Sequence, residues 1–165
     1  MANHKRLVAE ELRSHVIIAA DHAGIGLKKY LVPKLVNAGY AVEDVGAVRI
    51  DPNDDYPDYA AKVARHVARD DTAVGVLICG TGAGMAMAAN KIPFVRAAFC
   101  MDEFEAKMSR EHNDANIITL RGRRFSKSKA WRVARIFLET PFYGEPRHVR
   151  RIKKIAKIEK ARKKR

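Results

Sequence analysis

The chain has 165 residues, 47% of them apolar, with two cysteines and a net charge of +13. That length and apolar content suit one domain that buries its core without disulfides or a structural metal. No apolar run reaches a membrane span and the opening residues lack the apolar centre of a signal peptide, so the expectation is a protein off the membrane and in the cytoplasm.

The charge is unevenly placed. Residues 147–165 hold eleven Lys or Arg against one acid, Glu159, so about +10 of the +13 belongs to the last nineteen residues. The basic composition therefore describes a tail, and any nucleic-acid partner narrows to that tail. Cys79 and Cys100 fall in no CxxC or Cys/His metal spacing, which fits a reducing compartment and no metal.

Residues 1–14 are polar, with Leu7, Val8 and Leu12 the sizeable apolar groups, and are expected to form a partly disordered extension. Residues 16–20 (VIIAA) read as a buried strand running into Asp21, His22, Ala23 and Gly24. Polar groups at the C-terminal end of a strand are where open α/β sheets place ligands. Two readings stand side by side: a site, or a helix N-cap at Asp21 with a turn histidine behind it. Leu27, Tyr30, Leu31, Leu35 and Val36 recur at helical steps, closed by Gly39, with a kink expected at Pro33.

Residues 41–45 form a second short strand. Residues 46–58 (GAVRIDPNDDYPD) are rich in turn formers and acids, and long enough to suggest a functional loop. They open a helix that turns Ala60, Val63, Ala64 and Val67 inward. Tyr56, at its start, either lies against a ligand or packs at the helix end.

The stretch VGVLICGTGAGMAMAAN, residues 74–90, organises the chain. A β-branched run ends at Cys79; Gly80, Thr81, Gly82, Ala83 and Gly84 then make a glycine turn, and residues 85–90 read as a helix. In such a turn uncovered backbone N–H groups point one way and favour negative charge. GxxxxGK[ST] is absent and the glycines miss GxGxxG, so a nucleotide site is disfavoured. A thiol beside a helix N-terminus has its thiolate favoured, which makes Cys79 a candidate base or nucleophile; a small buried apolar residue is the other reading.

Residues 97–100 read as a fourth strand and 102–110 as a helix. His112 and Asn113 follow at the mouth of a fifth strand, 117–120, as site residues or as a cap. After Arg121, Arg123 and Arg124 comes a helix over 126–139, with Trp131, Ala134, Ile136, Phe137 and Leu138 as buried candidates. Pro146 starts a last helix whose stripe of Val149, Ile152, Ile155, Ala156 and Ile158 suits docking on a second subunit. Five strands alternating with helices predict a Rossmann-like three-layer α/β sandwich around a five-stranded parallel sheet, with an extra C-terminal helix. Asp21, His22, Cys79 and the glycine turn are then expected on one rim.

Five motifs in order, DHAGIGLK, DYPDYA, ICGTGAG, EHNDAN and RHVRR, together closely resemble type B ribose-5-phosphate isomerases, in the wider family that includes galactose-6-phosphate isomerase. The resemblance covers roughly residues 15–158 of the chain. It implies a metal-independent aldose–ketose isomerase without cofactor, acting on a phosphorylated sugar as a homodimer or dimer of dimers with active sites shared between subunits. On that pattern Cys79 is the base that moves a proton through an enediolate. Gly80, Thr81, Gly82, Ala83, Gly84 and Asn113 hold the oxyanion, with Thr81 assisting proton movement. His112 opens the sugar ring, helped by Asp21, while His22, Arg147 and Arg151 grip the phosphate and Arg123 and Tyr56 line the substrate.

The resemblance also implies an organisation: an extension over 1–14, the isomerase domain over 15–145, and a basic helix and tail over 146–165 that packs on the partner subunit. Glu145 and Pro146 stand where glycines are usual, and Arg121 replaces a small residue, which bears on loop geometry rather than chemistry. Retention of both the Asp-His and His-Asn pairs favours a pentose phosphate over a hexose 6-phosphate of allose or galactose type. A nucleic-acid-associated protein acting through its basic tail is the reading from another class.

Overall fold

The run AVGVLIC, Ala73–Cys79, is buried along its whole length, which requires a sheet covered on both faces. The structure, a computed structural model, describes residues 15–162. The extension over 1–14 and the end of the basic tail lie outside the described residues.

The strands are β1 (His15–Ala20), β2 (Ala41–Asp44), β3 (Ala73–Cys79), β4 (Ala97–Phe99) and β5 (Ile117–Arg121). The helices are α1 (Ile25–Asn37), α2 (Tyr56–Val67), α3 (Ala83–Ala89), α4 (Glu103–Asn113), α5 (Lys127–Glu139) and α6 (Pro146–Arg162). All strand pairs are parallel, in the order β2-β1-β3-β5-β4. The predicted three-layer sandwich is therefore what forms.

Alternation along each strand divides the core. Val16, Ile18, Val76, Ile78, Ile118 and Leu120 face one side, against Leu27, Leu31 and Leu35 of α1, Ala106 of α4 and Val133 and Phe137 of α5. Ile17, Ala19, Leu77 and Ile117 face the other, against Ala60, Val63, Ala64 and Val67 of α2 and Met85 and Ala89 of α3. Each fully buried Leu or Ile contributes about 1.5–3 kcal/mol of transfer free energy. Lys28, fully buried in α1, donates from Nζ to Asp44 (2.7 Å) and to the Ala47 carbonyl (2.6 Å), pinning the β2 exit to the helix.

Several expectations shift. Val36, placed on the buried stripe of α1, is exposed, because it lies about 100° round the helix from Leu35, off the buried face set by Leu27, Leu31 and Leu35. Trp131 is only partly buried, with the Lys34 ammonium 5.8 Å from its ring. The helix after the glycine turn starts at Ala83 rather than Met85, and α4 continues through Asn113, so His112 and Asn113 belong to its last turn. Among the described residues no helix is long and apolar enough to cross a membrane.

Candidate active site

The chain passes from β1 to β2 on one side and then returns to β3 on the other, so the sheet order reverses between β1 and β3. Open α/β sheets bind ligands outside the C-terminal ends of the strands at such a point. Asp21 follows β1 there, and Cys79 is the last residue of β3.

The Asp21 amide donates to the Ile78 carbonyl (3.2 Å), tying the two strand ends together. Its Oδ1 accepts from the amides of Ala23 and Gly24, both at 3.0 Å, and so braces the turn that leads into α1; the N-cap of that helix is Gly24 rather than Asp21, because the chain makes one more turn before the helix begins. Burial pushes its carboxyl above the ordinary range, and the Gly24 amide, followed by the charge of His22, pulls it part of the way back. Gly24 is required by close approach: a Cβ there would lie 2.6 Å from the Ile78 carbonyl oxygen. His22 is held by Asp54, whose carboxylate accepts from its Nδ1 (2.5 Å) and from its amide (2.9 Å).

Cys79 is 4% exposed, at the floor of this rim. The Gly82 amide donates to its Sγ at 3.1 Å, placing a backbone dipole where a sulfur anion is stabilised. Gly82 makes that turn with φ +82°, in the left-handed region, and a Cβ on it would strike the Phe99 ring at 2.7 Å. The loop after β5 is stitched on by Gly122 N–H to the Cys79 carbonyl (2.7 Å) and Arg123 N–H to the Gly80 carbonyl (3.3 Å). Arg123 Cδ and Nε flank Gly80, Tyr56 lies across Gly84, and Thr81 is exposed above them. Asp21, His22, Tyr56, Cys79, residues 80–84 and Arg123 thus share one rim.

His112, Asn113, Arg147 and Arg151 do not. Residues Gly75 and Ile117 pair at one level of the sheet, and Cys79 and Arg121 pair four residues further on, about 13 Å along the strands. His112, in the last turn of α4, comes just before the turn that enters β5, so within one chain it sits at the opposite end of the sheet from the sulfur. Arg96 holds that turn by donating to the carbonyls of Asn113 (3.0 Å) and Asp114 (2.8 Å). Arg110 donates to Asp114 and to the Ala115 carbonyl. His112 stacks on His148 of α6, and His148 in turn accepts from Arg147 Nε at 3.1 Å. Arg147 and Arg151 both lie in the first turns of that helix, Arg151 exposed and the Arg147 side chain more than half so.

Asp21, His22 and Asp54 are the one group among the described residues whose donor atoms, all within 4.8 Å of one another, are close enough to consider a cation. The His22 Nδ1 is committed to Asp54 and Asp21 Oδ1 to two amides, so their chemistry here is that of a hydrogen-bond network. The motifs alone do not single out Asp54, His148 or Tyr59 for a role. DYPDYA starts one residue after Asp54, and RHVRR includes His148 but directs attention to its arginines.

The fold and the rim define an α/β protein with a thiol, an imidazole and a glycine loop converging at the sheet's switch point. Residues 16–155 match the model of the Ribose/Galactose Isomerase family, and the chain belongs to it. It is 41% identical to a type B ribose 5-phosphate isomerase of Trypanosoma cruzi, with a TM-score of 0.86 over 91% of this chain and 99% of that one. Against ribose-5-phosphate isomerase B of Mycoplasma genitalium, solved with bound ribulose-5-phosphate, the identity is 42% and the TM-score 0.85, over 88% and 96% of the two chains. Ribose-5-phosphate isomerase B of Mycobacterium tuberculosis is 36% identical over 145 residues, 88% of this chain and 90% of that protein.

Proposed function

We propose that this chain interconverts ribose 5-phosphate and ribulose 5-phosphate. The observation that carries this reading is the Cys79 sulfur at the switch point, with the Gly82 amide aimed at it and the Asp21 carboxyl on the neighbouring strand end. Cys79 as thiolate takes the proton from C2 of the open-chain aldose. The electron pair moves toward O1, and the enediolate is met by amides of residues 80–84. The same proton returns to C1 while the C2 oxygen becomes the carbonyl, with Thr81 passing a proton between the two oxygens. Atoms balance without an external oxidant or reductant. A cytoplasmic setting fits two free thiols.

The second half of the site comes from a partner. His112, Asn113, Arg147 and Arg151 lie at the far end of the sheet, so a homodimer that sets one chain's far end against the other's sulfur completes the centre: His112 opens the ring, Asn113 joins the oxyanion donors, and the arginines with His22 hold the phosphate. Support comes from the exposed Ile155 and Ile158 of α6, which line a groove of about 400 Å³ with Val95, Ala97 and Ala98 and offer a second copy an apolar face.

The test is conversion of ribose 5-phosphate by the purified chain, with allose 6-phosphate as competitor. Ketose should form, pentose should be preferred, and Cys79→Ala should lower kcat by about a thousand-fold or more. Absence of ketose, or full activity in Cys79→Ala, overturns the reading.

A further inference from the structure

The loop between β2 and α2 supplies a carboxylate that the mechanism above does not use. Asp54 is nearly enclosed, its side chain 9% exposed. It accepts from the His22 ring at Nδ1 (2.5 Å) and from the His22 amide at 2.9 and 3.2 Å, so one carboxylate fixes both the backbone and the imidazole of that residue. Tyr59, in the first turn of α2, faces the same carboxylate; burial and then the Asp54 charge push its phenol above the ordinary range. The carboxylate is itself set by a turn, with the Asp54 amide on the Asp51 carbonyl (3.1 Å) and the Asn53 amide on Asp51 Oδ1 (3.0 Å). His22 Nε2 has no partner among the described residues.

We propose that Asp54 is a positioning residue: by holding Nδ1 of His22 as a donor, it leaves Nε2 as the one nitrogen presented to the substrate phosphate. This rests on the isomerase reading and on His22 as a phosphate ligand. Which ring nitrogen of a histidine carries the proton is set by the bond the other nitrogen makes. An amide at 54 has one oxygen where the carboxylate has two, so it cannot accept on both sides from the His22 amide and ring, and the ring loses the orientation that turns Nε2 toward the phosphate. The Asp51 turn keeps the carboxylate from following the ring, so the geometry is built before substrate arrives.

The experiment compares wild type, Asp54→Asn, Asp54→Glu, His22→Ala and the Asp54→Asn/His22→Ala pair. Asp54→Asn should raise KM for ribose 5-phosphate and the inhibition constant of inorganic phosphate together, about 10- to 100-fold, with kcat changed far less. Asp54→Glu should recover part of the loss, and the double variant should be no worse than His22→Ala. In nitrogen-15 spectra of the imidazoles, the strongly deshielded Nδ1 proton of His22 should vanish in Asp54→Asn. An unchanged KM and phosphate inhibition in Asp54→Asn, or additive losses in the double variant, overturn the proposal while wild-type turnover stands. If wild type makes no ketose, the isomerase reading fails instead. If Asp54→Asn does not fold, Asp54→Glu with the nitrogen-15 spectrum decides: retention of wild-type phosphate affinity with the His22 proton lost overturns it.

Discussion

His112 and His148 stack with their ring centroids 4.3 Å apart and their planes 12° from parallel. One ring ends α4 and the other begins α6, so the stack joins the proposed ring-opening histidine to the helix that carries Arg147 and Arg151. His148 Nε2 accepts from Arg147, which puts the proton on Nδ1, a buried atom with no partner. Both features disfavour a second proton on His148. Burial, then the neighbouring His112 and Arg147, push it below the ordinary histidine range.

The sign of the resulting pH dependence follows. Unfolded, His148 takes up a proton near pH 6.5, whereas the folded chain resists it. The stability it contributes is present above that pH and is lost as pH falls through the depressed folded value. Thermal melts should show the midpoint dropping between neutral and mildly acidic pH, and dropping less in His148→Phe, which keeps a stacked ring but cannot titrate. Equal slopes in the two proteins contradict this account.

Placement of Cys79 and His112 at opposite ends of one sheet leads to a complementation experiment. In the dimer proposed above, Cys79→Ala and His112→Ala homodimers each lack one half of every site. Mixed after partial denaturation and refolding, half the dimers are hybrids, and each hybrid carries one intact site, so activity should return to about a quarter of wild type. No recovery means that both halves belong to one chain.

Much of this was legible in the residues, and the exceptions share a cause. The strands and the Cys79 turn announce themselves because a doubly covered strand must be apolar throughout and only glycine makes the turn with positive φ. The shared rim of Asp21, His22 and Cys79 follows from right-handed crossovers. By the same rule a helix returning to the next strand ends at the far rim, which is where His112 lies. Asp54 was not legible: Asp51, Asp54, Asp55 and Asp58 stand close together in sequence with no period to sort them, and only the folded turn brings one of them to His22. His148 was hidden likewise, a polar residue on a charged helix that is buried only because α4 packs over it. Trp131 misled through size, since an indole can cover the core and still keep an edge in water.

Asp21 should show a trade between stability and activity. Burial raises its carboxyl, so the folded state disfavours the charge that the unfolded chain carries freely at neutral pH. The cost is absent below about pH 3.8, the unfolded value, and grows as pH rises toward the folded one. Asp21→Asn keeps an oxygen for the Ala23 and Gly24 amides and removes the charge. Its melting temperature at neutral pH should exceed that of wild type, the gain shrinking toward acid, while turnover falls. A variant less stable than wild type at neutral pH argues against this balance.

Two glycines separate strain from entropy. Gly82→Ala meets a φ of +82° and the Phe99 ring at 2.7 Å, and should destabilise by about 1–3 kcal/mol while dislodging the amide on the Cys79 sulfur. Gly26→Ala lies in α1 with nothing within 4 Å, and should stabilise by about 0.5–1 kcal/mol with activity intact. Chemical denaturation of the two variants reads the contrast directly, and equal effects of the same sign contradict it.

The two cysteines should differ in reactivity although both are buried by area. Burial pushes the Cys100 thiol up to about 12, and its neighbours Glu105 and Asp102 act in the same direction, so at neutral or mildly alkaline pH essentially none of it is thiolate. Its sulfur lies within 3.8 Å of the Ser109 hydroxyl and of the Ala98 carbonyl, in the core beneath α4. Cys79 instead sits at the floor of an open rim with an amide donated to it, and the reaction proposed for it requires the anion. Iodoacetamide should therefore add one carbamidomethyl group per native chain, none to Cys79→Ser, and more slowly when ribose 5-phosphate is present. Modification of Cys100 at a comparable rate means that the core beneath α4 opens readily, and that the contrast between the two sulfurs is not set by their surroundings.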